Sequence, residues 1–253
     1  MKTGPATAIG LMAMMLLGAG EPILVPDVSQ RQIDVRYSFN GAELLLFGAI
    51  LYPGGRVPDG KADIVVVLKG PPQSLLVREK RKVLGIWVNA DSTRFLSVPG
   101  FYSIASSRPL TEIVDRRTAA IYELGLDTIQ LSPAGGETAD TRNRFERGLI
   151  ELRQKSALFA VRPNSVEISQ GVLYRARLAI PSRVPIGRYS AETFLIRDGR
   201  VLAAATRPIE IRKSGFEKFV AESARKSPLV YGLFAVMLSL VLGWLASALF
   251  RRI

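Results

Sequence analysis

The chain has 253 residues, 48% hydrophobic and 22% charged, a balance typical of a folded protein with one large or two small domains. It contains no cysteine and no histidine, which excludes disulfides, thiolate or imidazole catalysis and the usual zinc, haem and copper ligands. The net charge of +12 favours acidic partners such as anionic lipid or small anions. No nucleic-acid-binding motif accompanies that charge, so we expect no nucleic-acid partner. Because the usual metal and haem ligands are missing, we also expect no cofactor and no metal.

Both ends of the chain carry membrane-related patterns. Residues 1–20 have a positive start, an apolar run and small residues at the end, which predicts a signal peptide cleaved after Gly20; a retained N-terminal anchor is the alternative. Residues 229–250 carry no charge and are long enough to cross a hydrocarbon core of about 30 Å. The positive-inside rule puts the tail, 251–253, in the cytoplasm. We therefore expect a single-pass protein of the bacterial inner membrane with a periplasmic N-terminal domain.

Small side chains recur at every fourth position of the predicted membrane helix. They are Ala235, Ser239, Gly243 and Ser247. Small residues let a second helix approach closely, so the stripe predicts a helix–helix contact, either with another membrane protein or by self-association. The alternative is the ordinary composition of such helices. Residues 214–228, which precede the helix, have a capping-box start at Ser214 and Glu217 and predict an amphipathic helix at the membrane surface.

The rest of the chain has mainly the periodicity of strands. Residues 21–108 are β-rich, and within them the β-branched run 63–68 predicts a strand buried on both faces. Residues 109–160 change to a helical period, with one helix over 110–121 and another over 138–157. Strands return over 161–213. This order predicts an immunoglobulin-like β-sandwich with a helical insertion, or two small β subdomains flanking a helical hairpin.

Several short stretches resemble one known family. They are Phe39-Asn40-Gly41-Ala42, Phe47-Gly48-Ala49, Val67-Leu68-Lys69-Gly70-Pro71, Gly85-Ile86-Trp87-Val88-Asn89, Val98-Pro99-Gly100-Phe101-Tyr102 and Ser107-Arg108-Pro109-Leu110. With them, nearly the whole mature chain resembles the alphaproteobacterial transmembrane protein family Alph_Pro_TM. The resemblance implies a membrane partner, namely a permease of the sulfite or organosulfonate export type. It supplies no catalytic residues.

One candidate binding cluster combines a basic run with two predicted strand ends. If strands 63–69 and 83–89 are neighbours, they bring together Lys69, Gly70, Lys80, Arg81, Lys82 and Asn89. Gly70 would permit close backbone approach, and the cations would hold an oxyanion or the acidic loop of a partner. The alternative is a solvated hairpin, with 78–82 as its connection, beside a structural turn. Trp87 is expected in the core.

A second polar group lies where a predicted strand leads into the first helix. It consists of Tyr102, Ser106, Ser107 and Arg108. Free backbone N–H groups at a helix start bind anions, and arginine can add a bidentate contact. The alternative is a capped helix with a structural arginine.

Catalysis has few candidate residues in this sequence. They are a Ser74–Lys80 pair and the carboxylates Asp127 and Glu137, and nothing fixes their geometry. We therefore expect a non-enzymatic, membrane-tethered accessory protein. A periplasmic oxyanion-binding module is the second hypothesis, and a hydrolase or transferase of unfamiliar type is the third.

Overall fold

The computed structural model describes residues 21–35, 41–136, 138–213, 220 and 223–250. The predicted signal peptide and the cytoplasmic tail lie outside the described residues, as do Glu137 and the start of the predicted surface helix. The end of that surface segment is helical over 223–226 and leads directly into the C-terminal helix. Ser227 N donates to Ser223 O over 3.1 Å, and Tyr231 N donates to Ser227 O over 2.9 Å. Helical hydrogen bonding therefore continues across Pro228.

Besides the helical segment 223–226, the described residues form thirteen strands and four α-helices. The strands are β1 Ile23–Val28, β2 Gln32–Val35, β3 Ala42–Leu51, β4 Asp63–Lys69, β5 Pro72–Val83, β6 Ile86–Pro99, β7 Tyr102–Ser106, β8 Ser132–Pro133, β9 Phe159–Arg162, β10 Val166–Ser169, β11 Leu173–Ile180, β12 Gly187–Arg197 and β13 Arg200–Lys213. The helices are α1 Leu110–Ile113, α2 Arg116–Ile121, α3 Ala139–Lys155 and α4 Pro228–Phe250, with 3-10 turns at Pro53–Gly55 and Leu126–Thr128.

Strands from both β-rich segments share the two larger sheets. One sheet has the order β1-β3-β11-β10, and the other has the order β2-β13-β12-β4-β7-β9. Strands from before and after the helical insertion are therefore hydrogen-bonded to one another, which rules out two subdomains with sheets of their own. A third sheet, β5-β6-β8, projects from this arrangement. The mainly β architecture with a helical insertion is confirmed, while its immunoglobulin-like character stays a prediction.

Strand β4 lies at the centre of the core. It pairs with β12 on one side and β7 on the other, and Ile64 to Leu68 are all fully buried, as the β-branched run predicted. Because side chains alternate along a strand, Val65, Val67 and Lys69 share one face. The helical segment covers that face, where the Tyr122 ring packs edge-on against Phe194 with centroids 5.5 Å apart. The insertion thus supplies one wall of the core.

The helical insertion is shorter and more broken than the sequence predicted. The single helix expected over 110–121 is wrong: α1 ends at Ile113, and α2 starts after Asp115, whose carboxylate accepts a hydrogen bond from Thr118 N over 2.7 Å. A side-chain cap of this kind favours a new helix start. The second helix is confirmed as α3, with Thr138 as its N-cap and Phe145 buried on its apolar side.

The third sheet is dominated by one long hairpin of β5 and β6. The prediction that 78–82 connect two shorter strands is wrong, because these residues lie within β5. The turn is instead Leu84-Gly85, where φ is +47° and +87°. Positive φ at both central residues is the geometry that two-residue hairpin turns require, and glycine supplies it readily.

Candidate functional site

The outer part of the β5–β6 hairpin stands clear of the rest of the described chain. All residues over 80–90, called here the hairpin tip, are exposed, whereas side chains nearer the sandwich alternate between exposed and covered. The tip contains four residues of β5 and five of β6, which extend about 14 Å and about 17 Å at the usual rise per residue. Both faces of this two-stranded ribbon are therefore open.

Apolar side chains occupy the outermost positions of the hairpin tip. Leu84 is 99% exposed, Ile86 is 68% exposed and Trp87 is 66% exposed. Cross-strand pairing sets Val83 opposite Ile86 and Lys82 opposite Trp87. The expectation that Trp87 lies in the core is wrong, because none of the described residues forms a second layer over this end of the hairpin. Exposed apolar groups clustered in this way mark interaction sites.

Basic side chains lie directly behind the apolar apex. They are Lys80, Arg81 and Lys82, and the hairpin tip contains no acidic residue. Asn89 is paired opposite Lys80 at the inner end of the tip. Arg81 Nε lies 3.2 Å from Glu79 Oε1, whereas Lys80 and Lys82 have no ion-pair partner among the described residues. Of the predicted cluster, these four residues do lie together on the hairpin tip, and Lys80 and Lys82 carry the positive charge that no described carboxylate pairs with.

A clamp from α3 fixes the base of the hairpin. Glu79 and Asp91 stand opposite each other on β5 and β6, an arrangement that like charges alone would destabilise. Arg144 Nη2 lies 3.2 Å from Glu79 Oε2 and 3.1 Å from Asp91 Oδ2. One guanidinium thus bridges both carboxylates, and Arg81 adds a second cation beside Glu79. The bridge marks where the ordered base ends and the free tip begins.

Lys69 does not belong to this cluster. The premise that its strand neighbours 83–89 is wrong, because β4 pairs with β12 and β7 while β6 pairs with β5 and β8. Lys69 Nζ lies 3.0 Å from Glu123 Oε2 and 3.2 Å from Glu192 Oε2, beside an open cleft of about 330 Å³. Burial lowers the pKa of Lys69, but the Glu123 hydrogen bond and the Glu192 charge outweigh burial and raise the net pKa. The cation therefore has its counterions within the fold.

Gly70 also has a structural role instead of the predicted ligand approach. A Cβ added there would come within 2.9 Å of Phe101 N and 3.0 Å of a Tyr189 ring carbon. Gly70 N donates to Phe101 O over 2.7 Å. The space that a ligand would need is filled by the core.

Arg108 binds a carboxylate of its own chain. Its Nη2 lies 2.6 Å from Asp63 Oδ2 and its Nε 3.0 Å from Asp63 Oδ1, and the Ser107 hydroxyl donates to Asp63 over 2.7 Å. Burial raises the pKa of Asp63, but hydrogen bonds from Arg108 and Ser107 outweigh it and hold the net pKa below its ordinary value. The predicted anion site is thus filled by Asp63. Its position as an acidic residue opening a buried apolar strand was the sequence signal for that partner.

Tyr102 and Ser106 are buried and cannot meet an external anion. The Tyr102 hydroxyl donates to Glu123 O and accepts from Gly125 N over 3.3 Å. Burial raises the pKa of Tyr102 well above its ordinary value, so the hydroxyl stays protonated. The Ser106 hydroxyl donates to Arg108 O over 2.6 Å. The anion-binding prediction for this group is wrong, and its alternative, a structural arginine, describes the geometry.

The Ser–Lys pair considered for catalysis is not formed. Ser74 and Lys80 lie six residues apart on the extended strand β5, a separation of about 20 Å. The Ser74 hydroxyl instead donates to Phe95 O over 3.2 Å. Of the two carboxylates considered, Asp127 lies in the 3-10 turn after α2, and Glu137 is outside the described residues.

Helix α4 is long and apolar enough to cross a membrane. In the described part of the chain it is the one helix that meets this condition, over Pro228–Ser247, and none of that stretch is buried against the β domain. The stripe residues are all exposed on it; they are Ala235, Ser239, Gly243 and Ser247. The Ser239 hydroxyl donates to Ala235 O over 2.9 Å, so the helix itself satisfies this polar group.

The chain was compared with known families and proteins. The family described as "Putative transmembrane protein (Alph_Pro_TM)" matches residues 23–252, which is nearly all of the described β domain together with α4. The chain belongs to this family. No curated protein and no solved structure matches it. Alph_Pro_TM is described by a membrane location and no reaction, which agrees with a β domain joined to one apolar helix.

Proposed function

We propose that this Alph_Pro_TM protein is a membrane-tethered accessory protein that acts by contact with a membrane partner and not as an enzyme. The exposed apolar surface of α4 carries the proposal, because a helix that is apolar all round and not buried in its own fold belongs in lipid or against other membrane helices. The basic, apolar hairpin tip provides a second contact surface outside the membrane helix.

The finer assignment follows from the two ends of the chain. The signal-peptide pattern of 1–20 and the paired Arg251 and Arg252 support export of the β domain to the periplasm, with the C-terminus in the cytoplasm. The membrane would then be the bacterial inner membrane. The partner we propose is a permease of the sulfite or organosulfonate export type, as the family resemblance implies.

The paired cations favour this function over the oxyanion-binding alternative. Lys69 and Arg108, which each lie beside a cleft of the β domain, have carboxylate partners at 3.2 Å or closer. An oxyanion would have to displace those carboxylates, whose negative charge also repels it. The separation of Ser74 from Lys80 likewise supports a role without catalysis.

A membrane pull-down tests the proposal. The full chain is crosslinked in native membranes, and partners recovered with wild type are compared with those recovered with S239L/G243L. We expect the double variant to lose most of the recovered permease, because leucine side chains hold the helices apart. The matched control is M237L/V241L, which changes the opposite side of α4 at about 100° per residue. Equal recovery with S239L/G243L and wild type would contradict a helix-mediated contact.

A further inference from the structure

We propose that the hairpin tip inserts into the interfacial region of a bilayer containing anionic phospholipid, and that this bilayer is the membrane that holds α4. This inference rests on the membrane tether of the proposed function and adds a second, peripheral membrane contact made by the β domain. It assigns a ligand class, the anionic phospholipid headgroup, to residues 80–90.

The order of side chains along the hairpin matches the polarity profile of a bilayer surface. Leu84 forms the apex, with the Val83–Ile86 pair next to it, where acyl chains would receive them. Trp87 follows one step behind, at the level where amphipathic rings concentrate in membrane proteins. Lys82 stands directly opposite Trp87, at the depth of the phosphates. Farther back, the Arg144 clamp on Glu79 and Asp91 stays in water.

The charge of the hairpin tip favours an anionic bilayer over a folded protein as its binding partner. The tip has no acidic residue, and its Lys80 and Lys82 have no ion-pair partner among the described residues, so its field attracts anionic headgroups. Each cation near such a surface adds to binding. Both faces of the ribbon are exposed, and an isolated two-stranded hairpin gains little stability in water. A bilayer can surround both faces at once, whereas a folded partner would need a deep acidic groove.

The tether keeps the tip within reach of the bilayer that holds α4. Residues 214–227 are all that separates β13 from α4, and fourteen residues span at most about 50 Å when fully extended. A domain confined so close to the surface meets it at a high effective concentration, so weak intrinsic affinity is sufficient for occupancy.

The two tryptophans make the test direct. W244F leaves Trp87 as the single tryptophan of the full chain, and W87F leaves Trp244, which lies in α4. Both proteins are reconstituted in vesicles of phosphatidylcholine, with and without phosphatidylglycerol, carrying brominated acyl chains that quench only lipid-embedded tryptophan. We expect Trp244 to be quenched in every vesicle, and Trp87 to be quenched and blue-shifted only when phosphatidylglycerol is present. High salt should reverse the Trp87 response, because the headgroup attraction is screened.

Variants in the W244F background localise the effect. L84S/I86S should abolish Trp87 quenching, and K80S/R81S/K82S should lower it to the phosphatidylcholine value and remove its salt sensitivity. The matched control is L96S, which changes an exposed leucine on the same strand but closer to the sandwich than Asp91. It should leave the quenching unchanged.

Each remaining outcome overturns the inference in a distinguishable way. Quenched Trp244 with unquenched Trp87 in phosphatidylglycerol vesicles would remove the hairpin insertion and leave the tether standing. An unquenched Trp244 would remove the tether and the inference together. A Trp87 blue shift that rises with protein concentration, without bromolipid quenching, would assign the tip to a second copy of the chain instead of lipid.

Discussion

Arg144 and Asp91, which are 53 residues apart in the sequence, are joined by an ion pair of 3.1 Å between helix α3 and strand β6. The same guanidinium nitrogen lies 3.2 Å from Glu79 on the opposing strand. The helical insertion thereby holds the hairpin at the position of the Glu79–Asp91 pair. Distal to that level the hairpin is free, and proximal to it side chains such as Thr93 and Phe95 are buried.

Removing the clamp should loosen the hairpin base without unfolding the β domain. We expect R144A to increase amide hydrogen exchange over 78–92 while β4 stays protected, because Glu79 and Asp91 are left facing each other. The loss in unfolding free energy should be roughly 1 kcal/mol or less, since the pairs are partly exposed. Hydrogen-exchange mass spectrometry of the full chain in detergent measures both regions.

The matched control for the clamp is R147A on the same helix. Arg147 is exposed, and its Nε donates to Asn143 O within α3, so this variant should leave exchange in the hairpin unchanged. Equal exchange over 78–92 in R144A and wild type would show that the ion pairs do not hold the hairpin.

Asp63 should be a determinant of stability at neutral pH. D63N removes the charged partner of Arg108 at a buried position and should lower the unfolding free energy by about 2 kcal/mol at pH 7. The pKa of Asp63 is lowered in the folded chain, so its stabilisation is complete above the ordinary value of 3.8 and is lost as the pH falls through the folded value. Urea denaturation at pH 7 and at steps below pH 4 measures the difference.

The difference in unfolding free energy between wild type and D63N should therefore become smaller as the pH falls. D59N is the control, because Asp59 is exposed in the loop before β4 and makes no described ion pair. The unfolding free energy of D59N should equal that of wild type at every pH. A gap between wild type and D63N that stays constant with pH would mean that D63N acts through packing and not through the charge.

Gly70 should not accept a side chain. G70A places a Cβ within 3.0 Å of Phe101 and of Tyr189, both in the core, and we expect a loss of about 1–3 kcal/mol in unfolding free energy. G148A provides the contrast, since nothing lies within 4 Å of a Cβ at that position of α3. It should be neutral or stabilise by up to about 1 kcal/mol. Urea denaturation of both variants measures the change in unfolding free energy. A G70A variant as stable as wild type would contradict the close packing around Gly70.

Local pattern was sufficient for most of the secondary structure. The strand at 63–69, the helix from Thr138 and the membrane-length helix all follow from runs of neighbouring residues. Strand β9 starts at Phe159, inside the segment 109–160 that has a helical period. Its hydrogen bonds go to β7, more than 50 residues earlier in the chain, and local sequence does not reveal such a partner.

The candidate site was predictable only in part, for the same reason. The cations of 80–82 are contiguous in the sequence, so their clustering needed no tertiary information. The sequence predicts ligand-binding roles for Lys69 and Arg108 because their carboxylate partners come from distant segments and cannot be recognised from neighbouring residues. Asp63 is 45 residues from Arg108 along the chain, and Glu192 lies on the strand paired with β4 from the other end of the domain.

The sequence by itself determined that this protein has a mainly β domain, one apolar helix of membrane length and no cysteine or histidine chemistry, because composition and short-range periodicity encode these properties. Only the tertiary structure decided which cations are neutralised within the fold and which remain available at the hairpin tip. Charge pairing depends on distances between side chains that are remote in sequence, and only the packing of strands, helices and loops together sets those distances.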